Sequence, residues 1–167
     1  MSTLEPPDIF FLSAAVGWME LGNAAEAAAE LEKISAENQA QPDVLEVRWL
    51  LLAQARRWDD ALQVTQALVQ AAPHRSSSWL HHAYAMRRAA SGGLRQAWDA
   101  LLPAHEKFPK EATIAFNLAC YACQLQQLEE ARSWFHRALT LGGKYKIKAM
   151  ALGDSDLQPL WAEIREL

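Results

Sequence analysis

Residues 115–141 read AFNLACYACQLQQLEEARSWFHRALTL. Ala115, Leu118, Ala119 and Ala122 fall on one face at helical spacing, and after a short polar turn Leu128, Ala131, Phe135, Ala138 and Leu139 do the same. The stretch predicts two amphipathic helices, with small residues at Ala119 and Ala131 that allow close backbone approach. Neither helix can bury its apolar face alone. A pair that needs similar neighbours is the mark of a repeat array.

The pattern recurs along the chain. A pair over 8–41 buries Phe11, Ala14, Ala15 and Trp18, turns at Gly22-Asn23, returns with Ala27, Leu31 and Ile34, and ends in the polar loop SAENQAQ. A pair over 42–73 carries Leu45, Trp49 and Leu52, then Trp58, Ala61, Leu62, Thr65 and Leu68. A pair over 76–109 carries Trp79, Ala83 and Met86, then Ala97, Leu101 and Ala104, with Ser76 to Ser78 available as an N-cap. Pro103 inside its second helix removes a backbone hydrogen bond and is expected to kink or shorten that helix, at roughly 3 kcal/mol if unrelieved. The opening stretch belongs to a fourth pair over 110–143, stopped by Gly142-Gly143. Residues 1–7 read as an arm kept extended by Pro6-Pro7. Residues 144–167 read as a connector and a last helix on Leu157, Leu160, Trp161 and Ile164, opened by a capping box at Ser155-x-x-Gln158. The predicted fold class is all-α: an α-solenoid of about four helix–turn–helix repeats with a C-terminal capping helix.

These residues resemble the tetratricopeptide repeat. Leu118-Ala119 stands at its L-G step and Ala131-x3-Phe135 at its A-x3-F step. Ala27-x3-Leu31 and Ala97-x3-Leu101 occupy the same A-x3-F step, and Pro73 and Pro109 the closing proline. The tail is similar to the D-x-D-L-x-P-L segment that closes bacterial arrays of this kind. In the second repeat, Arg48 replaces the usual Leu and Trp49 the usual small residue, so that repeat is expected to be splayed or locally rearranged.

The resemblance implies that the first helices line a groove for a peptide or a partner helix. Carried over position by position, the lining is Ile9, Leu12, Val16, Met19 and Glu20 in repeat one, and Asp43, Glu46, Leu50, Ala53 and Gln54 in repeat two. Repeat three gives Ser77, Leu80, Tyr84, Arg87 and Arg88; repeat four gives Thr113, Phe116, Asn117, Cys120, Cys123 and Gln124. A helix apolar on two sides must bury both. The groove is therefore expected to take an apolar partner surface, or to be filled by the N-terminal arm or a second copy. Of the polar clamp that captures C-terminal carboxylates in this family, only Asn117 stands at a clamp-like position, and Leu12 and Val16 occupy places that need polar groups. Carboxylate-tail capture is not expected.

Composition narrows the rest. Glycine is scarce and β-branched residues few, which suits helices. No apolar run is long enough to span a membrane, and residues 1–9 carry Glu5 and Asp8 with no basic region, so the expectation is a cytoplasmic protein. The net charge of −4 is unevenly spread: −8 over residues 1–46, +5 over 47–110 and −1 over 111–167. Self-association or an acidic partner would use that asymmetry; solvated faces are the simpler reading. A dedicated nucleic-acid binder would need a continuous basic stripe, which the acidic first repeat opposes.

Candidate chemistry is sparse. Cys120-x-x-Cys123 has redox or metal spacing but sits inside a helix and lacks a second pair, so packing thiols are expected. His81-His82 lies near serines, but adjacent histidines point to different faces and no acid is evident to orient them. Lys144, Lys146 and Lys148 around Tyr145 make a short basic patch. Trp134 and Trp98 fall on outer faces of second helices, with exposure or burial as the alternatives.

No enzyme, metal or cofactor is expected. The reading is a non-catalytic adaptor that binds another protein. Size, repeat number and tail are similar to bacterial kinesin light chains, which implies bacterial tubulin filaments as partner. Their acidic surfaces would suit Arg48, Arg56, Arg57, Arg87, Arg88 and Arg95. The alternative is a secretion chaperone that holds an extended client in an apolar groove.

Overall fold

The computed structural model describes residues 4–167, which divide into two compact units: the chain up to His81, and His82–Leu167. Among the described residues every regular element is helical. The first unit holds α1 (Asp8–Glu20), α2 (Ala24–Glu32), a 3-10 turn at Ala36–Asn38, α3 (Pro42–Gln54) and α4 (Trp58–Ala71), and α5 (Ser76–Arg88) begins in it. α1 packs on α2, α3 on α4, and α3 also touches α1 and α2. Leu12, Ala15, Ala27, Leu31, Ile34, Val44, Val47 and Leu51 form its main core, with Leu4 packed against it.

The second unit continues with α6 (Leu94–Lys107), α7 (Ala112–Gln124), α8 (Leu128–Gly142), α9 (Lys144–Leu152), a 3-10 segment at Ser155–Leu160 and α10 (Trp161–Glu166). α7 is its axis: α6, α8 and the 3-10 segment all pack on it. Its residues Ile114 to Cys123 are buried except Asn117, because it meets neighbours on almost every side.

Three of the turns inside the helix pairs share one geometry. The residue after the first helix's C-cap takes a left-handed conformation: Gly22 (φ 75°), Arg56 (φ 55°) and Gln126 (φ 63°). In each, the next backbone N–H returns to a carbonyl of the preceding helix: Asn23 to Trp18 (2.8 Å), Arg57 to Leu52 (2.9 Å) and Gln127 to Ala122 (2.9 Å). This satisfies a carbonyl that the helix end would leave unpaired. The third turn is longer and closes differently, with the Gly93 N–H on the Met86 carbonyl at 2.9 Å. Gly92 is obligatory there, since a Cβ would lie 2.0 Å from the Met86 oxygen.

Several expectations are corrected. Pro6 and Pro7 are not extended but turn into α1, with the Phe10 N–H on the Pro7 carbonyl at 3.0 Å; residues 1–3 of the expected arm lie outside the described residues. The serines do not cap α5 as a group: Ser78 is buried and donates to the Ala72 carbonyl at 3.0 Å, sealing the end of α4. α6 is not shortened by Pro103, which sits on its exposed side. The tail's cap is Asp154, accepting from the Asp156 N–H at 3.0 Å, and not the Ser155/Gln158 box. The connector is itself a helix, α9, which buries Ile147 and Ala151.

Arg48 and Trp49 are accommodated by separate devices. The Arg48 guanidinium leans toward the long loop, donating to the Gln39 Oε1 and lying 3.4 Å from Glu32. Gln39 in turn donates to the Leu31 (3.0 Å) and Ile34 (2.7 Å) carbonyls, closing the end of α2. Trp49 is buried with its ring 5.1 Å from that of His81.

Candidate protein-interaction surface

The rotation of α1 decides what its groove-side positions present. Asp8 is buried at the helix start and accepts from the Ser35 N–H (3.1 Å), the Ser35 hydroxyl and the Asn38 Nδ2 (2.7 Å). These donors, Asn38 foremost, hold its carboxyl below the ordinary value. With Asp8 turned inward, Leu12, Ala15 and Met19 follow on the same face at i+4, i+7 and i+11. Leu12 is therefore a core residue, and half-buried Met19, Phe11 and Trp18 all pack on that core. Val16 remains 39% exposed and Leu50, on α3, 42% exposed. Two polar positions are engaged locally. Asp43 pairs with Arg75 at 2.6 Å, and Glu46 meets the His81 Nε2 at 2.8 Å. An acid thus does stand beside His81, contrary to expectation.

In the second unit, Tyr84 is 39% exposed and the Arg88 guanidinium lies 3.4 Å over its ring. Phe116, Cys120 and Cys123 are buried. Asn117 spends its side-chain donor on the Thr113 carbonyl at 2.9 Å. Arg87 and Gln124 both reach the tail. Arg87 grips the Asp156 carboxylate with two bonds, the Nη2 one at 2.9 Å, and Gln124 Nε2 donates to the Asp156 carbonyl at 2.9 Å. Cys120 Sγ lies 3.7 Å from Asp154. Here part of the first-helix face is covered by the chain's own C-terminal segment, where the sequence suggested a partner, the N-terminal arm or a second copy. What stays open is a cavity of about 340 Å³ between Tyr84, Arg87, Arg88, Asn117 and Asp154–Asp156.

A second cavity, of about 450 Å³, belongs to the first unit and escaped the sequence reading. Ala24, Ala28, Leu31, Leu51, Leu52, Ala55 and Val64 wall it, with Glu32, Arg48, Arg57 and Asp60 also contributing to its lining. It lies among α2, α3 and α4, away from the carried-over groove positions. The signal was the pair of small residues Ala24 and Ala28 one helical turn apart on α2.

The reactive candidates are quiescent. Burial pushes both the Cys120 and Cys123 thiols up, so neither is poised as a thiolate. Cys120, Asp154 and Asp156 place ligand atoms within 4.8 Å of one another, but Arg87 already neutralises Asp156. Tyr121 is likewise pushed up, to about 12, chiefly by burial. Lys144, Lys146 and Tyr145 are exposed on α9, while the Lys148 Nζ donates to the Arg165 carbonyl at 2.7 Å. Trp98 is buried, and half-buried Trp134 meets it edge-on at 6.2 Å and His105 at 4.8 Å. Neither tryptophan stands free on an outer face. No helix among the described residues is long and apolar enough to cross a membrane.

No protein-family model and no curated protein matches the chain. Solved structures do. A MamA protein aligns with a TM-score of 0.74 and 11% identity over 95% of this chain and 88% of its own. A MamA RS-1 double mutant gives 0.72 and 16% over 83% and 77%. A thermophilic TPR protein of Thermus thermophilus gives 0.69 and 21% over 94% and 82%. At these identities the likeness establishes the fold: helical hairpins stacked as in the tetratricopeptide repeat proteins.

Proposed function

We propose that the chain is a non-catalytic protein-interaction module whose partner contacts the first-helix faces. The observation that carries this is the exposure of Val16, Leu50 and Tyr84, apolar or aromatic side chains on α1, α3 and α5. Exposed residues of this type serve as interface anchors, and Tyr is favoured among them. Arg88 stacked on Tyr84 adds a cation next to an aromatic surface, a pairing suited to a mixed apolar and acidic peptide.

The narrower reading, a kinesin light chain-like partner of bacterial tubulin filaments, has less support. Of its arginines, Arg48, Arg57, Arg87 and Arg95 pair with Glu32, Asp60, Asp156 and Asp99 of this chain. An acidic filament would have to displace those acids. The test is to purify the partner from native extract and measure its affinity for Leu50→Glu and Tyr84→Glu variants. Each is expected to weaken binding about tenfold or more with an unchanged helical spectrum. A partner held equally well by the double variant would refute the groove-face assignment. Recovery of one unfolded secreted client would select the chaperone reading, and recovery of a tubulin-like filament the other.

A further inference from the structure

The cavity of about 450 Å³ among α2, α3 and α4 has the make-up of a small-molecule site. Ligand pockets hold about 300–1,000 Å³ and are apolar with a few placed polar groups. The apolar wall here includes Ala24, Ala28, Leu51, Leu52 and Val64. Ala24, Ala28 and Glu32 succeed one another by about a turn on α2, so the cleft extends about 12 Å along that helix. That is the length of an extended medium-chain acid.

Arg48 is the anomaly in this wall. An apolar side chain there would line the cavity at no polar cost. The Arg48 Nε is instead buried without a hydrogen-bond acceptor among the described residues, which is unfavourable. The head is nevertheless fixed in place. Its Nη2 donates to the Gln39 Oε1, and the Gln39 Nε2 is itself tied to the Leu31 and Ile34 carbonyls at 3.0 and 2.7 Å. A cation is thus held rigidly at the Glu32 end of an apolar cleft.

Four charged groups line the cavity, and they are not equivalent. Arg57 and Asp60 are closed on each other, with the Arg57 Nε and Nη2 both 2.7 Å from the Asp60 Oδ2. Glu32 is only a loose partner of Arg48, 3.4 Å away, with its side chain 72% exposed against 30% for Arg48. A solvated carboxylate is screened by water; a fixed, half-buried guanidinium is screened much less. A loose, exposed pair also contributes little, so a ligand carboxylate can take the place of Glu32 at small cost. We infer that the cavity binds a small apolar monocarboxylate of the medium-chain fatty acid class. Its carboxylate meets the remaining N–H groups of Arg48, a charge-assisted contact, and its chain lies against Ala24, Ala28 and Val64. This site is separate from the first-helix faces proposed for a protein partner, and its test does not depend on them.

The experiment is calorimetric titration of the full chain with decanoate, decanol and decylamine. The expected result is saturable one-to-one binding of decanoate, about tenfold or more tighter than decanol, and weaker still for decylamine. Arg48→Leu should bring decanoate down to the affinity of decanol, with an unchanged helical spectrum, and Arg48→Lys should keep part of the preference for the acid. Ala28→Phe, at an exposed position of α2, fills the cleft and should abolish binding of acid and alcohol alike. Glu32→Gln removes the competing carboxylate and should tighten decanoate several-fold; at so exposed a position it does not disturb folding. Any of four results would overturn the inference. They are absence of saturable decanoate binding, decanol or decylamine bound as tightly as decanoate, an affinity that ignores Arg48→Leu or Ala28→Phe, and decanoate binding that Glu32→Gln leaves unchanged or weakens.

Discussion

Single residues carry costs that the sequence pattern conceals. Arg56 and Gln126 sit in left-handed conformations in turns where Gly22 does the same job. A non-glycine residue there costs about 1–2 kcal/mol, part of which glycine gives back in unfolded-state entropy. Gln126→Gly is therefore expected to stabilise the chain by about 1 kcal/mol in denaturant unfolding. Gly92→Ala should do the reverse, because its Cβ would run into backbone. Asp8 gives a pH signature. Its carboxyl is held low in the folded chain, so its contribution is complete above the ordinary carboxyl value and disappears as pH falls through the lowered folded value. Asp8→Asn should lower the unfolding midpoint at neutral pH and make the acid limb shallower. The turn positions could be found in the sequence only through Gly22. At Arg56 and Gln126 side-chain identity contradicts the backbone conformation, so propensity could not reveal them.

At the scale of elements, the helix pairs follow from period and turn chemistry, while the tail follows from what it packs against. Leu157, Leu160 and Ile164 were legible as an apolar face, and all three are buried. That they divide between a 3-10 segment and α10 was not legible, because Pro159 and the Asp154 cap act against the helical period. The α9 helix was missed since only Ile147 and Ala151 mark its buried face. The Arg87–Asp156 bond fastens the tail to α5, with both side chains largely shielded from water. Asp156→Ala should cost about 2 kcal/mol, less than a fully buried pair and more than a surface one, and should raise hydrogen exchange across 153–161. Leu160→Ala, which leaves a cavity beneath the same segment, should cost about 2–5 kcal/mol. Gly17→Ala, inside α1 where a Cβ would meet nothing within 4 Å, should stabilise the chain by about 0.5–1 kcal/mol.

For the whole molecule, charge is the informative quantity. The excess of basic residues over 47–110 is largely spent on internal pairs, such as Arg57 with Asp60 and Arg75 with Asp43. By contrast, Glu5, Glu20, Glu26 and Glu37 in the first unit are exposed. The amino-acid order alone determined the helical class, the pairing of helices into hairpins and most of the core, because these depend on local period and on residues a few positions apart. Tertiary structure alone decided which face of each helix is free. Asp8 reaching Ser35 and Asn38 sets the rotation of α1, and Asp156 reaching Arg87 covers a face that period left open. Those contacts join residues about thirty and seventy positions apart. No local pattern encodes them, and they determine what the protein presents to a partner.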